Sequence, residues 1–161
     1  MTVFVYEDVT ATGAGGDAQS PPAPTLLAEG RAMRDAVTAD FAAADVPVLS
    51  HESPSSQGSH EAFRELAVQA DYALVIGPEC GGRLEHLCRE VLRAGGRLLG
   101  PSPEAVRLTA DKLALASHWE QHGVSAPPTW PRGGEPPDLP VVVKPRDGAG
   151  SQAIALRAPA P

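Results

Sequence analysis

The 161-residue chain has little of what several classes of protein depend on. Its only cysteines are Cys80 and Cys88, and their number and spacing suit neither a zinc site nor a disulfide framework, which indicates thiols in a reducing cytoplasm. No apolar run approaches the length of a membrane span, and the N-terminal sequence MTVFVYEDV lacks the basic start of a signal peptide. These absences predict a cytoplasmic protein with no membrane partner.

Basic charge is also scarce, because 13 Lys and Arg residues face 20 Asp and Glu residues and leave a formal net charge of −7. A surface that binds nucleic acid needs the opposite balance. The chain also lacks the Walker-type phosphate loop G-x-x-x-x-G-K-[ST] and the G-x-S-x-G motif of serine hydrolases. We therefore expect small-molecule partners and no nucleic acid, while the oligomeric state stays open.

What is present is a regular alternation of apolar runs with amphipathic segments. Strands are predicted at residues 2–7, 46–49, 71–77 and 97–99. Residues 8–24 are predicted as a loop, and helices are predicted from a cap at Thr25, over 59–70 and 82–94, briefly after Ser102, and over 111–122. The alternation predicts a parallel-sheet, three-layer α/β domain over residues 1–110. A proline-rich connection at 124–140 then leads into a second, β-rich unit from Val141.

Two weaker motifs have ordinary structural explanations. Residues 13–18 fit the dinucleotide pattern G-x-G-x-x-G/A, but they begin several residues after the first strand and lead into Ser-Pro-Pro rather than a helix. His118 and His122 stand four apart on a helix, as metal ligands do, but the helix dipole alone favours histidines near a C-terminus. Neither motif predicts a cofactor site.

The most informative stretch is VVVKPRDGAGSQ, at residues 141–152. A strand that ends in Lys144 and runs into a loop with Gly148 and Gly150 offers a polyphosphate a point charge and close backbone N–H groups. A second lysine, Lys112, follows Asp111 at the start of a helix. Two lysines that converge on one anion neutralise its charge and assist phosphoryl transfer.

The succession LLGPSPEAVRLTADKLALASHWEQHGVSAPPTW, then PVVVKPRDGAGSQ, resembles the ATP-grasp superfamily. The wording is most similar to the branch that contains tyramine–glutamate ligase and related uncharacterised bacterial proteins. The resemblance implies a Rossmann-like pre-ATP-grasp domain at residues 1–110, followed by an incomplete, N-terminal part of an ATP-grasp domain at residues 111–161.

The resemblance also implies roles for individual residues. Contacts to ATP phosphates are implied for Lys112, Lys144, Gly148, Ala149, Gly150 and Ser151. Glu7 and Glu79 are implied on the acceptor-substrate side, while catalytic residues and ligands for Mg²⁺ are expected outside these 161 residues.

The function that the resemblance implies is that of an ATP-dependent carboxylate–amine ligase. ATP activates a carboxylate as an acyl phosphate, and an amine then displaces the phosphate. The chain alone is expected to be inactive, because the family's metal ligands and adenine-binding segment come later in the fold. The alternative is a truncated or degenerate, non-catalytic α/β module that binds a small ligand or a partner.

Overall fold

The computed structural model of the chain describes residues 1–13, 24–51, 59–133, 138–148 and 153–158. Three parallel strands form its main sheet in the order β2–β1–β3: β1 (Val3–Glu7), β2 (Val48–Ser50) and β3 (Tyr72–Ile76). Val3 pairs with Val48 on one side and with Tyr72 on the other, so β1 is the central strand. All five residues of β1 are buried, as expected for a strand covered on both faces.

Helices connect and cover these strands. In the described ranges they are α1 (Asp8–Thr12), α2 (Pro24–Ala43), α3 (Ser59–Gln69), α4 (Arg83–Arg93), α5 (Pro103–Ala110) and α6 (Lys112–Gln121). The start of α5 follows from local chemistry, because Ser102 Oγ accepts a hydrogen bond from the amide of Ala105 at 3.2 Å and Pro103 occupies the first turn. The predicted α/β architecture with a parallel sheet is confirmed.

The core lies between β1 and the helices α3 and α4. Phe4, Tyr6 and Phe63 form an aromatic cluster in which the Tyr6 and Phe63 rings meet edge to face at 4.6 Å. Leu87 of α4 packs into the same cluster. Alternate residues of a strand face opposite sides, and Glu7 accordingly lies against Gly30 of α2. Helices therefore cover both faces of the sheet.

A buried carboxylate ties α3 to α4. Glu90 is only 5% exposed, and its side chain accepts hydrogen bonds from Arg64 Nε at 2.9 Å and Arg93 Nη1 at 2.9 Å. The hydrogen bonds from Arg64 and then Arg93 lower the pKa of Glu90 to about 2. This carboxylate is ionised at neutral pH and links the two helices that cover the aromatic cluster.

The structure differs from the sequence prediction at three places in this domain. The predicted loop after β1 begins with helix α1, because the Glu7 carboxylate satisfies two of its first amides and Gly13 closes it in the left-handed conformation. The helix predicted from a Thr25 cap begins at Pro24 instead. The strand predicted at 97–99 forms only a single parallel bridge, between Leu98 and Ala73, since glycines stand at 95, 96 and 100 around it.

A separate two-stranded antiparallel sheet follows the proline-rich connection. It consists of β4 (Val141–Val143) and β5 (Ala155–Arg157), with Val142 opposite Leu156. The two strands predicted from Val141 onward are therefore present. Leu156 is 76% exposed and Val142 is 55% exposed, so one apolar surface of this hairpin faces solvent.

Candidate functional site

The carboxyl ends of β1 and β3 lie side by side in the sheet and place the following segments next to each other. The buried carboxylate of Asp8 accepts hydrogen bonds from Arg83 Nε at 2.8 Å and Nη2 at 2.6 Å, and from the Tyr6 hydroxyl at 3.2 Å. These bonds to Asp8 raise the pKa of Arg83, and burial, with Asp8 beside it, raises the pKa of Tyr6. The ion pair between Asp8 and Arg83 joins the end of β1 to the start of α4, and the charges of both side chains are used in it.

Glu7 has a structural role at the same edge. Its carboxylate is 2% exposed and accepts hydrogen bonds from the amides of Val9 at 3.1 Å and Thr10 at 2.7 Å. A Cβ atom at Gly30 would lie 2.5 Å from Glu7 Oε2, so only glycine fits there without rearrangement. Both carboxylate oxygens of Glu7 are thus used in capping α1.

Asp111 and Arg146 bring the two lysine-bearing segments together. The Asp111 carboxylate caps α6, accepting from the amides of Leu113 at 3.1 Å and Ala114 at 3.0 Å. The same carboxylate accepts hydrogen bonds from Arg146 Nε at 2.8 Å and from Arg146 Nη2 at 2.6 Å. Arg146, followed by the Ala114 amide, lowers the pKa of Asp111 to about 2.

Lys112 contacts the glycine-containing segment through both its backbone and its side chain. Its amide donates to the carbonyl oxygen of Arg146 at 3.0 Å, and its Nζ donates to the carbonyl oxygen of Gly148 at 2.9 Å. A lysine ammonium has three donors, so two N–H groups of Lys112 are left for another acceptor. The structure therefore brings Lys112 and Gly148, two predicted phosphate-binding residues, into direct contact.

The segment 146–148 also contacts the turn that follows β3. The amide of Gly148 donates to the carbonyl oxygen of Glu79 at 3.1 Å, and the amide of Gly81 donates to Asp147 Oδ2 at 3.1 Å. The loop after β4 is thus held at two places, the start of α6 and the turn at 79–81.

A cleft of about 290 Å³ opens beside these contacts. Its walls come from the 79–85 region, the last turn of α5, Asp111, and the loop residues Arg146 and Asp147. Arg83, Asp111 and Arg146 use their charges in the ion pairs above. The side chains of Glu79 and Arg107 also line the cleft and form no ion pair with any residue that the structure describes.

The remaining predicted site residues are distributed as follows. Lys144 is exposed directly after β4 and makes no hydrogen bond or ion pair within the described ranges. Glu79 lines the cleft, whereas Glu7 does not. The predictions for Ala149, Gly150 and Ser151 fall on residues 149–152, which lie outside the described residues. Their roles, and those of the two lysines on phosphate, stay predictions.

Sequence reasoning missed the residues that hold the site together. Arg146 and Asp147 stand between Lys144 and Gly148 in KPRDG, and their pairing with Asp111 and Gly81 depends on contacts across 35 and 66 positions. A signal existed for Asp111 alone, because an aspartate directly before a helix is a common N-cap. The Asp8–Arg83 pair, 75 positions apart, left no local signal.

The histidine pair of α6 is close but is not joined by further metal-ligand types. The rings of His118 and His122 are centred 4.1 Å apart, and His122 Nδ1 lies 2.8 Å from the carbonyl oxygen of His118. Within residues that the structure describes, no group of three or more His, Cys, Asp and Glu side chains is arranged to hold a metal ion.

Among the described helices, none combines the length and apolar character needed to cross a membrane.

Comparison with known proteins connects this geometry to one superfamily. Residues 32–106 match the sequence model of the pre ATP-grasp 3 domain. The crystal structure of a protein from Archaeoglobus fulgidus assigned to the ATP-grasp superfamily superimposes on the chain with a TM-score of 0.73 and 21% identity, covering 92% of this chain and 47% of that chain.

Mouse paralemmin-3 is 26% identical over 150 residues, which is 91% of this chain and 20% of paralemmin-3. The chain thus spans a fifth of the mouse protein and less than half of the archaeal chain. At this identity and coverage, the similarity to paralemmin-3 carries no functional assignment.

The domain match covers β2, β3 and the helices α3 and α4 and supports a relation to the ATP-grasp superfamily, and the structural match supports the fold. The branch that contains tyramine–glutamate ligase stays a prediction. Residues 32–106 thus match a pre-ATP-grasp domain, and the chain has the α/β fold seen in an ATP-grasp superfamily protein.

Proposed function

We propose that this chain carries the first half of the phosphate-binding site of an ATP-grasp ligase. In that reaction ATP converts a carboxylate into an acyl phosphate, and an amine displaces the phosphate to give an amide. The observation that carries the proposal is the 2.9 Å hydrogen bond from Lys112 Nζ to the Gly148 carbonyl oxygen. It joins a lysine at the start of a helix to the first glycine of the loop that follows a second lysine.

The donor set fits a triphosphate. Lys112 keeps two N–H groups for phosphate oxygens while it holds Gly148, and Lys144 is exposed with no competing partner among the described residues. Two ammonium groups near a polyanion neutralise charge in both the bound state and the transition state. Lys112 and Lys144 would hold the phosphates, and ATP would supply the phosphoryl group that activates the carboxylate.

The cleft is the candidate place for the acceptor substrates. Of the charged side chains that line it, three form no ion pair with the described residues. They are the Arg107 guanidinium, which suits a carboxylate, and the carboxylates of Glu79 and Asp147, which suit a protonated amine, although Asp147 already accepts a hydrogen bond from the Gly81 amide. Arg83, Glu85, Asp111 and Arg146, which also line the cleft, are engaged in ion pairs. Small molecules with a carboxylate or an amino group therefore match the cleft better than large apolar ligands.

Magnesium fits less well than ATP. The described residues contain no group of three or more His, Cys, Asp or Glu side chains arranged as metal ligands. Magnesium that accompanies a nucleotide usually takes one or two carboxylates together with phosphate oxygens. Carboxylates outside the described residues would hold Mg²⁺, which would supply positive charge for the phosphates of ATP.

The test is calorimetric titration of the chain with Mg·ATP, together with an assay for ADP release in the presence of candidate acids and amines. We expect saturable ATP binding that Lys112→Met weakens. Absence of saturable nucleotide binding would refute the proposal.

A second candidate is a non-catalytic α/β module that binds a small ligand or a partner. The observation in its favour is the apolar surface of the β4–β5 hairpin, where Leu156 is 76% exposed. On this view the chain self-associates or pairs through the hairpin, and Leu156→Ser abolishes the association while ATP has no effect. Analytical ultracentrifugation of the unmutated chain and of Leu156→Ser, each with and without ATP, separates the two functions.

A further inference from the structure

The loop after β4 is anchored at its base by contacts to other parts of the chain. Arg146 is held by the Asp111 carboxylate and, through its carbonyl oxygen, by the Lys112 amide. Asp147 accepts the Gly81 amide, and the Gly148 amide donates to the Glu79 carbonyl oxygen. Three consecutive residues are thus fixed at two places, Arg146 at the start of α6, and Asp147 and Gly148 at the turn at 79–81.

The Asp111 carboxylate is the shared element of this anchor. One side chain caps α6, so that Lys112 is fixed in the first helical turn, and also binds Arg146 in a two-pronged ion pair. The Asp111 side chain is 28% exposed and that of Arg146 is 66% exposed. An exposed ion pair alone is weak, but the fork geometry and the two backbone hydrogen bonds beside it restrict the same segment together.

We propose that Asp111, Arg146 and Asp147 are positioning residues that hold Gly148 against the Lys112 ammonium, so that the base of the phosphate loop is ordered before ATP binds. This inference rests on the proposed function. Its physical basis is preorganisation: a segment that is already ordered loses less conformational entropy when the ligand arrives. None of the three residues needs to contact the reacting atoms.

The direction in which Asp111→Asn changes the affinity for ATP separates a positioning role from a purely electrostatic one. Asp111→Asn keeps an oxygen that caps α6, because asparagine is as good an N-cap as aspartate, but it removes the charge that holds Arg146. Electrostatics alone predicts that the loss of a negative charge beside the phosphate site strengthens ATP binding. Positioning predicts weaker binding, because Arg146 and Gly148 are released.

The experiment measures two quantities for the unmutated chain, Asp111→Asn, Arg146→Gln and Asp147→Ala. The first is the dissociation constant for Mg·ATP, and the second is the NMR-detected exchange rate of the amides of Lys112 and Gly148. Asp138→Asn is the matched control, because Asp138 is exposed and forms no ion pair with the described residues. The amide of Ala73 donates a hydrogen bond to the carbonyl oxygen of Arg97 at 2.7 Å in the sheet region, and its exchange rate reports whether the fold is intact.

We expect Asp111→Asn and Arg146→Gln each to weaken ATP binding by about fivefold or more and to speed exchange at Lys112 and Gly148 by a similar factor. The double variant should be little worse than either single variant, because both changes break one interaction. Exchange at Ala73 and ATP binding by Asp138→Asn should stay within about twofold of the unmutated chain.

Tighter or unchanged ATP binding by Asp111→Asn would overturn the positioning role while leaving the proposed function standing. If the unmutated chain does not bind ATP, the proposed function fails, and amide exchange then decides the anchor alone. Faster exchange at Gly148 in both Asp111→Asn and Arg146→Gln supports the anchor, and unchanged exchange overturns it.

Discussion

The ammonium group of Lys112 donates a hydrogen bond to the carbonyl oxygen of Gly148 across 36 positions of the chain. This contact joins the first turn of α6 to the loop that follows β4. It gives Lys112 a structural role in addition to its proposed contact with phosphate.

Replacement of Lys112 by methionine should therefore affect both the contact with Gly148 and the proposed contact with phosphate. Methionine keeps a side chain of similar length but removes the donor, so the affinity for Mg·ATP should fall by about tenfold or more, which is the loss of one charge-assisted hydrogen bond in a partly buried site. Calorimetric titration measures the change. Arg132→Gln is the control, since Arg132 is an exposed cation with no ion pair to the described residues, and an equal loss in that variant would contradict a specific role for Lys112.

Gly30→Ala tests the close approach of α2 to the Glu7 cap. Helix propensity alone predicts stabilisation by up to about 1 kcal/mol, because alanine is the better helix former. The new Cβ would lie 2.5 Å from buried Glu7 Oε2, so we expect instead a fall in the free energy of unfolding of roughly 1–3 kcal/mol. Urea denaturation gives the sign. Gly100→Ala, where no atom beyond the adjacent residues lies within 4 Å of the added Cβ, should change the free energy of unfolding by less than about 0.5 kcal/mol.

The ion pair between buried Asp8 and half-buried Arg83 should be costly to break from the arginine side. Arg83→Met leaves the Asp8 carboxylate buried without its cation, and we expect a loss of about 3–5 kcal/mol in the free energy of unfolding. Arg97→Met, which removes an exposed arginine stacked 4.3 Å from the Tyr72 ring centre, should cost less than about 1 kcal/mol. Adding Asp8→Asn to Arg83→Met should recover part of the loss, and a double variant as unstable as the sum of the single variants would contradict the pairing.

Glu90 predicts a pH dependence of stability with a definite sign. Its pKa is lowered from 4.5 to about 2 in the folded state, so the unfolded chain binds this proton first as pH falls. The stabilisation is present in full above about pH 4.5 and is lost as pH falls toward 2. Glu90→Gln should lower the free energy of unfolding at pH 6 by roughly 1–3 kcal/mol, since bonds to the charged form are lost.

Denaturant midpoints measured from pH 6 to pH 2 should show the gap between Glu90→Gln and the unmutated chain closing as pH falls. Glu61→Gln provides a matched control, because Glu61 is exposed and forms no ion pair among the described residues. A gap that stays constant down to pH 2 would show that the ionisation of Glu90 does not contribute.

Much of the fold could be predicted because its signals are local. The apolar run of β1, the amphipathic spacing of α4 and the Ser102-Pro103 start of α5 each lie within one short window, and the structure contains all three elements. Helix α1 was missed because its cap is Glu7, a residue that also ends a strand, and the sequence does not show that its carboxylate turns back onto two amides.

The site was predictable only in part, and for the same physical reason. The lysine–glycine pattern at 144–148 is local and predicts the loop, and the place of Lys112 at the start of a helix makes it the candidate second lysine, while its contact with ATP phosphates is implied by the resemblance. The pairing of Asp111 with Arg146 depends on how the chain returns from α6 to β4, which no window of the sequence contains. Charged residues whose partners are distant resemble ordinary surface charges until the fold is known.

The double attachment between α6 and β4 has a consequence for how the chain can vary. The ion pair between Asp111 and Arg146 fixes the two ends of the intervening chain to each other. The proline-rich stretch between them is therefore a tether whose length does not set the distance between α6 and the loop after β4. Each doubling of the length of a flexible loop costs only about 0.6 kcal/mol in closure entropy. Insertions or deletions in that tether should thus leave the Lys112–Gly148 contact in place, and variation in length between related chains should concentrate there.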